Sequence, residues 1–349
     1  MADPDILTSP LAVPRPAAHH RRDTLRPVKR LFAFEELGIT LALVALVLLI
    51  GAFHGGFLRQ NNLLNVLQTA SFVAIIAYGM VFLLAMGELD LSAGGTYALS
   101  TILSAKWMAG GGMNPWLAVV LGIGVGAGLG AVNGILSALL RLPLIIVTLG
   151  TLSAYQGLAT VASNAGPIQN LPTGSSFYTG LGQNQLGLPV AAWAALVLVV
   201  VLSFAFTKTR FGTMVRAVGS NRQAAAFSGI PAGRIRIYAA TLTGALAAVS
   251  GMLALGYFQG ADPTIGGTVL ELQVIAAAVI GGTAISGGTG TVPGALIGAL
   301  IVAVINSGLL FFAIPSNWSD FVTGAVILVA VGTDSLLRHR RRARALQEA

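Results

Sequence analysis

Asp90-Leu91-Ser92-Ala93-Gly94-Gly95-Thr96 and Asp262-Pro263-Thr264-Ile265-Gly266-Gly267-Thr268 share one pattern: Asp, any residue, a hydroxyl residue, any residue, Gly-Gly-Thr. The copies stand 172 positions apart, about half the chain, and each follows a long apolar run. Asn133 and Asn306 repeat the relation at an offset of 173. In a chain built of hydrophobic segments, such a repeat marks a transporter whose two halves enclose a path. Whether the halves run in the same or opposite sense depends on how many spans separate the copies.

Of 349 residues, 55% are hydrophobic and 9% charged, with a mean hydropathy of +0.82. That composition excludes a soluble domain. Ten apolar runs lie at 36–54, 66–86, 92–109, 116–139, 144–163, 189–207, 237–258, 271–288, 292–313 and 318–336. Each is near the roughly 20 residues a helix needs to cross a bilayer. The expected fold is an all-α polytopic membrane protein of about ten transmembrane helices, occupying 35–336. The runs at 92–109 and 271–288 are the shortest and are rich in Gly, so one of them is a candidate re-entrant segment. Forty-four glycines suit closely packed membrane helices. Cys is absent, so thiol and disulfide chemistry are excluded. Residues 1–34 are Pro-rich and read as a disordered tail. No cleavable signal is read there, because the first apolar run starts near Glu36. The adjacent His19 and His20 fall in that tail, and no metal site is assigned to them.

Orientation follows from the basic residues. The N-terminal tail carries Arg15, Arg21, Arg22, Arg26, Lys29 and Arg30, and Arg141 sits between the fourth and fifth spans. The 208–236 loop carries Lys208, Arg210, Arg216, Arg222, Arg234 and Arg236. The basic tail at 337–349 carries Arg338, Arg340, Arg341, Arg342 and Arg344. With ten spans all of these share one side, leaving only Arg59 and Lys106 on the other. Both termini are therefore expected in the cytoplasm, and the uncharged loop 164–188 outside. The C-terminal cluster reads as a membrane-side anchor facing lipid, not as a nucleic-acid patch. Five spans separate Asp90 from Asp262. The odd number makes the halves an inverted repeat of helices 2–5 and 7–10, with Asn133 and Asn306 in matching positions.

Polar residues inside apolar runs are the candidate path: Gln68, Ser71, Tyr78, Asn133, Thr148, Thr151, Tyr155, Gln156, Gln273 and Asn306. Amides and hydroxyls suit a neutral polyol cargo, and they equally suit bonds between helices. Glu88 and Asp90 at the end of span two have two open readings. Both are interfacial, with Asp90 capping the helix that begins near Ser92, or both lie at a gate on the cargo path. No chain of buried acids or histidines suggests a proton relay.

In the 208–236 loop, Ser220 and Asn221 are cap residues, Arg222–Ser228 includes three alanines, and Gly229 before Ile230-Pro231 is a stop. These signals predict a short exposed helix that docks a soluble partner. No Gly-x-x-x-x-Gly-Lys-Ser/Thr motif occurs, so no phosphate-cradling loop is read here. Gly281–Gly290 lacks the lysine and reads as a turn or close-packing device. No nucleophile–base pair is present, so the chain reads as a transport subunit and not an enzyme.

Several stretches together resemble the permease subunit of ribose-type ABC importers. They are Gly87-Glu88-Leu89-Asp90-Leu91-Ser92-Ala93-Gly94, Val147-Thr148-Leu149-Gly150-Thr151, and Arg216-Ala217-Val218-Gly219-Ser220-Asn221 continuing through Ala224-Ala225 to Ser228-Gly229-Ile230. Gly260-Ala261-Asp262-Pro263 and Ala276-Ala277-Ala278-Val279-Ile280-Gly281-Gly282-Thr283 follow. The resemblance implies a multi-pass protein of the bacterial inner membrane working as a homo- or heterodimer of permease subunits. It implies two cytoplasmic ABC ATPases that hold ATP and Mg, so this chain has no cofactor of its own. It also implies a periplasmic sugar-binding protein. Gly219, Asn221, Ala224, Ala225 and Gly229 would form the ATPase-coupling segment, and Gln68, Tyr78, Glu88, Asp90, Asn133, Thr148, Gln273 and Asn306 the cargo path. The chain departs from the family pattern at Glu88, where Gly is usual, and at Leu144-Ile145, where an aromatic is frequent.

The function expected is ATP-driven import of a monosaccharide by alternating access. Alternative cargoes are a nucleoside, a branched-chain amino acid or a furanosyl signal molecule. A different class is an ion-coupled secondary carrier.

Overall fold

Two helices with little polar surface make the centre of the molecule. In the computed structural model, which describes residues 35–315 and scattered single positions as far as 332, α2 (Gln60–Ala85) and α10 (Ala232–Phe258) are the most buried long helices. Each is apolar on every face, the pattern of a helix surrounded by others. Around them, in chain order, stand α1 (Glu35–Phe53), α3 (Ala93–Gly111), α4 (Pro115–Leu140), α5 (Leu144–Ala162) and a short α6 (Ser176–Leu181). After a two-residue hairpin, Asn184–Gln185 against Leu188–Pro189, come α7 (Val190–Lys208), α8 (Arg210–Ser220) and α9 (Arg222–Phe227). Beyond α10 lie α11 (Thr268–Ile280) and α12 (Val292–Phe311). The tails at 1–34 and 337–349, and most of the span expected at 318–336, lie outside the described residues.

Local signals explain the boundaries. Asn114 caps α4 by accepting from Trp116 N at 2.9 Å, with Pro115 in the first turn. Thr291 caps α12 through Gly294 N at 3.0 Å. Gly112 and Gln259 end α3 and α10 in the left-handed conformation.

Among the described residues, seven helices are long and apolar enough to cross a membrane: α1, α2, α4, α5, α7, α10 and α12. The other two expected spans differ. α3 has 19 residues but carries Thr96, Ser100, Thr101, Ser104 and Lys106. α11 has 13 residues, about 20 Å at 1.5 Å per residue and short of the roughly 30 Å hydrocarbon core. Its helix ends at Gly281, and the rest of the run expected at 271–288 is turn. α3 and α11 are the helices that follow the two motif copies.

Helix packing is tight where side chains are small. Gly122, Gly126, Gly130 and Gly134 form one row on α4 and meet Met252, Ala248, Gly244, Ala240 and Ile237 of α10. A Cβ on Gly126 or Gly130 would overlap the α10 backbone. In lipid no hydrophobic force draws helices together, so van der Waals contact at such small residues must do it. The packing is also reciprocal: α2 lies on α12 and α11, while α10 lies on α4 and α3. Gly94 and Gly266, the fifth residues of the two motifs, press backbone to backbone.

Leu186, in the hairpin before α7, and Phe227, at the end of α9, are 92% and 94% exposed, and α7 is the one membrane-length helix between them. Cysteines at 186 and 227 are expected to react with a membrane-impermeant thiol reagent from opposite faces. Reaction of both from one face in sealed vesicles would show that α7 does not cross.

Candidate functional site

The central pair α2 and α10 run antiparallel, and a polar site forms at each end. Since α2 has 26 residues, the two sites are about 39 Å apart.

At the end away from α9, an uncharged pocket of about 320 Å³ is lined by Asn61, Asn65, Gln68, Asn184 and Tyr257, with Leu64 and Pro189. Gln68 is itself buried. The Tyr257 hydroxyl donates to Asn65 Oδ1 at 3.4 Å, and its ring packs against Phe72 and Phe258. Each amide offers both donors and acceptors. The end is anchored by Trp116 Nε1 donating to Ser176 Oγ and by Trp193 Nε1 donating to Gln185 O, both exposed as befits an interfacial belt.

At the α9 end, Glu88 is buried and fully engaged. Its Oε1 accepts from Arg222 at 2.7 Å and Arg236 at 2.6 Å, and its Oε2 from Leu144 N at 3.1 Å. Arg236 also donates to Ser137 Oγ at 2.9 Å, which in turn donates to Leu142 O at 2.7 Å. One carboxylate thus ties the α2–α3 turn to α5, α9 and α10, and Ser137 adds α4. Glu88 and the backbone of Leu144 meet directly here.

Beside this cluster the chain backbones meet directly. Gly219 at the end of α8 packs against Ala85 O and Gly288 N, and Gly288 N donates to Ala85 O at 2.8 Å. Gly287, with φ of 85°, closes on Gly219 and Gly87. The Gly281–Gly290 stretch is therefore a turn packed against the root of α8 and α9. Asn221 caps α9 by accepting from Ala224 N at 2.9 Å, and Gly229 ends the segment with φ of 77°. Ala224 is exposed, whereas Ala225 is buried and faces the helix bundle.

Between the two ends runs a buried polar thread. Asp90 Oδ1 accepts from Ser92 N at 2.8 Å and Ser92 Oγ at 2.7 Å. This is a turn just ahead of the helix, not a bond into its first turn. Asn133 Nδ2 donates to Ser92 Oγ at 2.7 Å and Tyr155 OH donates to Asn133 Oδ1 at 3.0 Å. Thr148 Oγ1 accepts from Leu91 N at 3.0 Å. Gln156 Nε2 donates to Pro263 O, which joins α5 to the second motif. In that motif Asp262 Oδ1 accepts from Thr264 N at 2.8 Å and Thr264 Oγ1 at 2.7 Å. The two turns have the same geometry, but Asp90 is buried and Asp262 is not.

The remaining candidates stand apart. Tyr78 donates to Ala195 O at 3.3 Å within the core, Gln273 is half-buried on α11, and Asn306 Oδ1 has no partner among the described residues. Glu271, which hydropathy does not single out, is 2% exposed, and neither of its oxygens has a partner among the described residues. Arg236 was read as a loop charge. It belongs to the first turns of α10, and its signal was a cation between Ile235 and Ile237, which inside a helix demands a partner.

A model of the family described as branched-chain amino acid transport system / permease component matches residues 62–331. The ribose import permease protein RbsC of Bacillus subtilis (strain 168) is 38% identical over 300 residues, 86% of this chain and 92% of that protein. RbsC of Escherichia coli (strain K12) is 34% identical over 298 residues, 84% and 92% of the two chains. The autoinducer 2 import system permease protein LsrC of Salmonella typhi is 33% identical over 303 residues, 87% and 86%. No solved structure matches the chain. With apolar helices able to span a bilayer and a match over most of its length, the chain belongs to this family of transport-system permease components and is an ABC transporter permease subunit of a membrane.

Proposed function

We propose that this permease moves a monosaccharide inward, with ribose or a furanosyl relative as the cargo class, by ATP-driven alternating access. The amide-lined pocket at the end away from α9 carries the reading. It has the size of a small-molecule site and no charge, so it suits a solute that both donates and accepts hydrogen bonds through hydroxyls. The ribose and autoinducer 2 permeases among its relatives support the same class. A charged amino acid cargo would call for a fixed counter-charge in the pocket, and none lines it.

On this reading the α9 end is cytoplasmic, both termini share it, and a sugar-binding protein delivers at the opposite end. A second permease subunit, identical or not, completes the path, and separate ATPases bind ATP and Mg below α9. The halves α2–α5 and α10 to the tenth span form an inverted repeat. The identical Asp turns, the reciprocal packing and the short or polar helices after each motif support that arrangement. Among the described residues Asn306 Oδ1 has no partner, whereas Asn133 Oδ1 accepts from Tyr155.

Force from the ATPase enters at α9. Phe227 stands out almost fully exposed beside exposed Ala224, as an anchor for a partner surface. The α9 segment grips the bundle in two ways: the glycine wedge at Gly219 and the Arg222–Glu88 pair. Arg222 is 56% exposed at its side chain and Arg236 only 9%. The first bond is thus solvent-screened and releasable, while the second is a fixed anchor.

Four outcomes follow from this reading. Arg236→Ala should lower the stability of the purified chain by about 3–5 kcal/mol, because Glu88 is left buried with less compensation. Arg222→Ala should cost about 1 kcal/mol or less, and equal losses in thermal unfolding would refute the division of roles. Phe227→Ala should weaken capture of the cognate ATPase about tenfold or more while membrane insertion is unchanged. Unaltered affinity in a titration would remove α9 as the docking element. Proteoliposomes holding the chain with its ATPase and binding protein should take up labelled ribose only with ATP. Uptake by the chain alone on an ion gradient would overturn the ABC mechanism in favour of a secondary carrier.

A further inference from the structure

The arginines at the α9 end outnumber the carboxylate they share. Arg141, Arg222, Arg236 and Glu88 line a cleft of about 440 Å³, so three guanidinium groups against one carboxylate leave two positive charges unbalanced. Arg141 is exposed and makes no ion pair among the described residues. Arg222 spends a single bond on Glu88. Arg236, nine-tenths buried, keeps its Nε without a partner among the described residues.

The cleft lies where the C-terminus of α4 meets the N-termini of α5 and α10. The ends of three membrane-length helices put it at the level of lipid headgroups, whichever way the protein is oriented. The surface next to it is apolar and open: Leu139 and Leu140 on α4, Ile145 and Ile146 on α5, and Tyr238 on α10 are all exposed. A basic cleft that continues into an apolar wall matches an amphiphile with an anionic head. A soluble anion would have no use for the wall.

We propose that this cleft holds the phosphate of an anionic phospholipid headgroup, with its acyl chains along the exposed faces of α4 and α5. Phosphate oxygens accept from guanidinium groups in paired, charge-assisted bonds. Arg141 is the free donor and Arg222 the one that a phosphate can draw from Glu88. The bound lipid therefore loosens the releasable grip of α9 and leaves the Arg236 anchor in place, which makes the mobility of the docking helix depend on lipid composition.

Lipid binding is read on the full chain without ATPase, binding protein or cargo, so its outcome is separate from that of the transport reading. The chain is reconstituted in nanodiscs of mixed phosphatidylglycerol and phosphatidylcholine, then released into detergent, and native mass spectrometry counts the lipid retained. Retention of phosphatidylglycerol is expected to exceed that of phosphatidylcholine about tenfold, the scale of one hydrogen bond to a charged group. Arg141→Gln should abolish the preference. Arg210→Gln, the same charge change at an exposed site outside the cleft, should keep it. Equal loss in both variants would assign the attraction to diffuse surface charge and overturn the site, as would equal retention of the two lipids by the unmodified chain. Inorganic phosphate is the second probe. Complete displacement of the lipid at matched concentration would make this a soluble-anion site and refute the lipid assignment; little displacement is expected.

Discussion

In a bilayer, helices gain nothing hydrophobic by touching one another, so this fold depends on how closely their backbones can approach. The seam between α4 and α10 meets that constraint with a glycine at every fourth position, Gly122 to Gly134, set against Ala240, Gly244 and Ala248. The same device recurs at Gly94 with Gly266 and at Gly219 with the 287–288 turn. Each contact substitutes dispersion for the missing hydrophobic drive. The glycines also leave the joints smooth, because few side chains interlock across them.

Polar chemistry is placed where those joints leave room. The amide pocket and the arginine cleft sit at opposite ends of α2 and α10, and the thread Asp90–Ser92–Asn133–Tyr155 fills the interior between the α2–α3 turn, α4 and α5. Each member of that thread has a partner, as buried polar groups require. The thread is structural in this conformation. It lies next to both motifs, with Gln156 reaching Pro263.

The sequence disclosed the class of the protein more readily than its joints. Apolar runs located α1, α2, α4, α5, α7, α10 and α12, because length and hydropathy alone decide whether a helix can cross. Asn221 and Gly229 bounded α9 correctly because capping is a local property. For α11 the apolar run extends to Gly288, and its glycines admit a re-entrant segment, but hydropathy does not show that the helix stops after 13 residues, where the backbone turns at Gly281 to meet Gly294. Such a turn is set by tertiary contact and leaves no trace in hydropathy. Glu88 was singled out as an acid near the membrane, but its partners come from positions 144, 222 and 236. No periodicity links residues so far apart. The four-residue row of glycines on α4 was legible in principle and was passed over in favour of overall glycine content.

The Glu88 cluster acquires its meaning from an asymmetry in burial. A charge taken out of water and left with one partner is costly, and with several it is held firmly. Arg236, itself held by Ser137, and Leu144 N supply partners that stay with the bundle, and Arg222 supplies one that belongs to α9. Loss of the Arg222 bond alone therefore does not strand the carboxylate. Glycine at position 88 would leave Arg236 without that counter-charge.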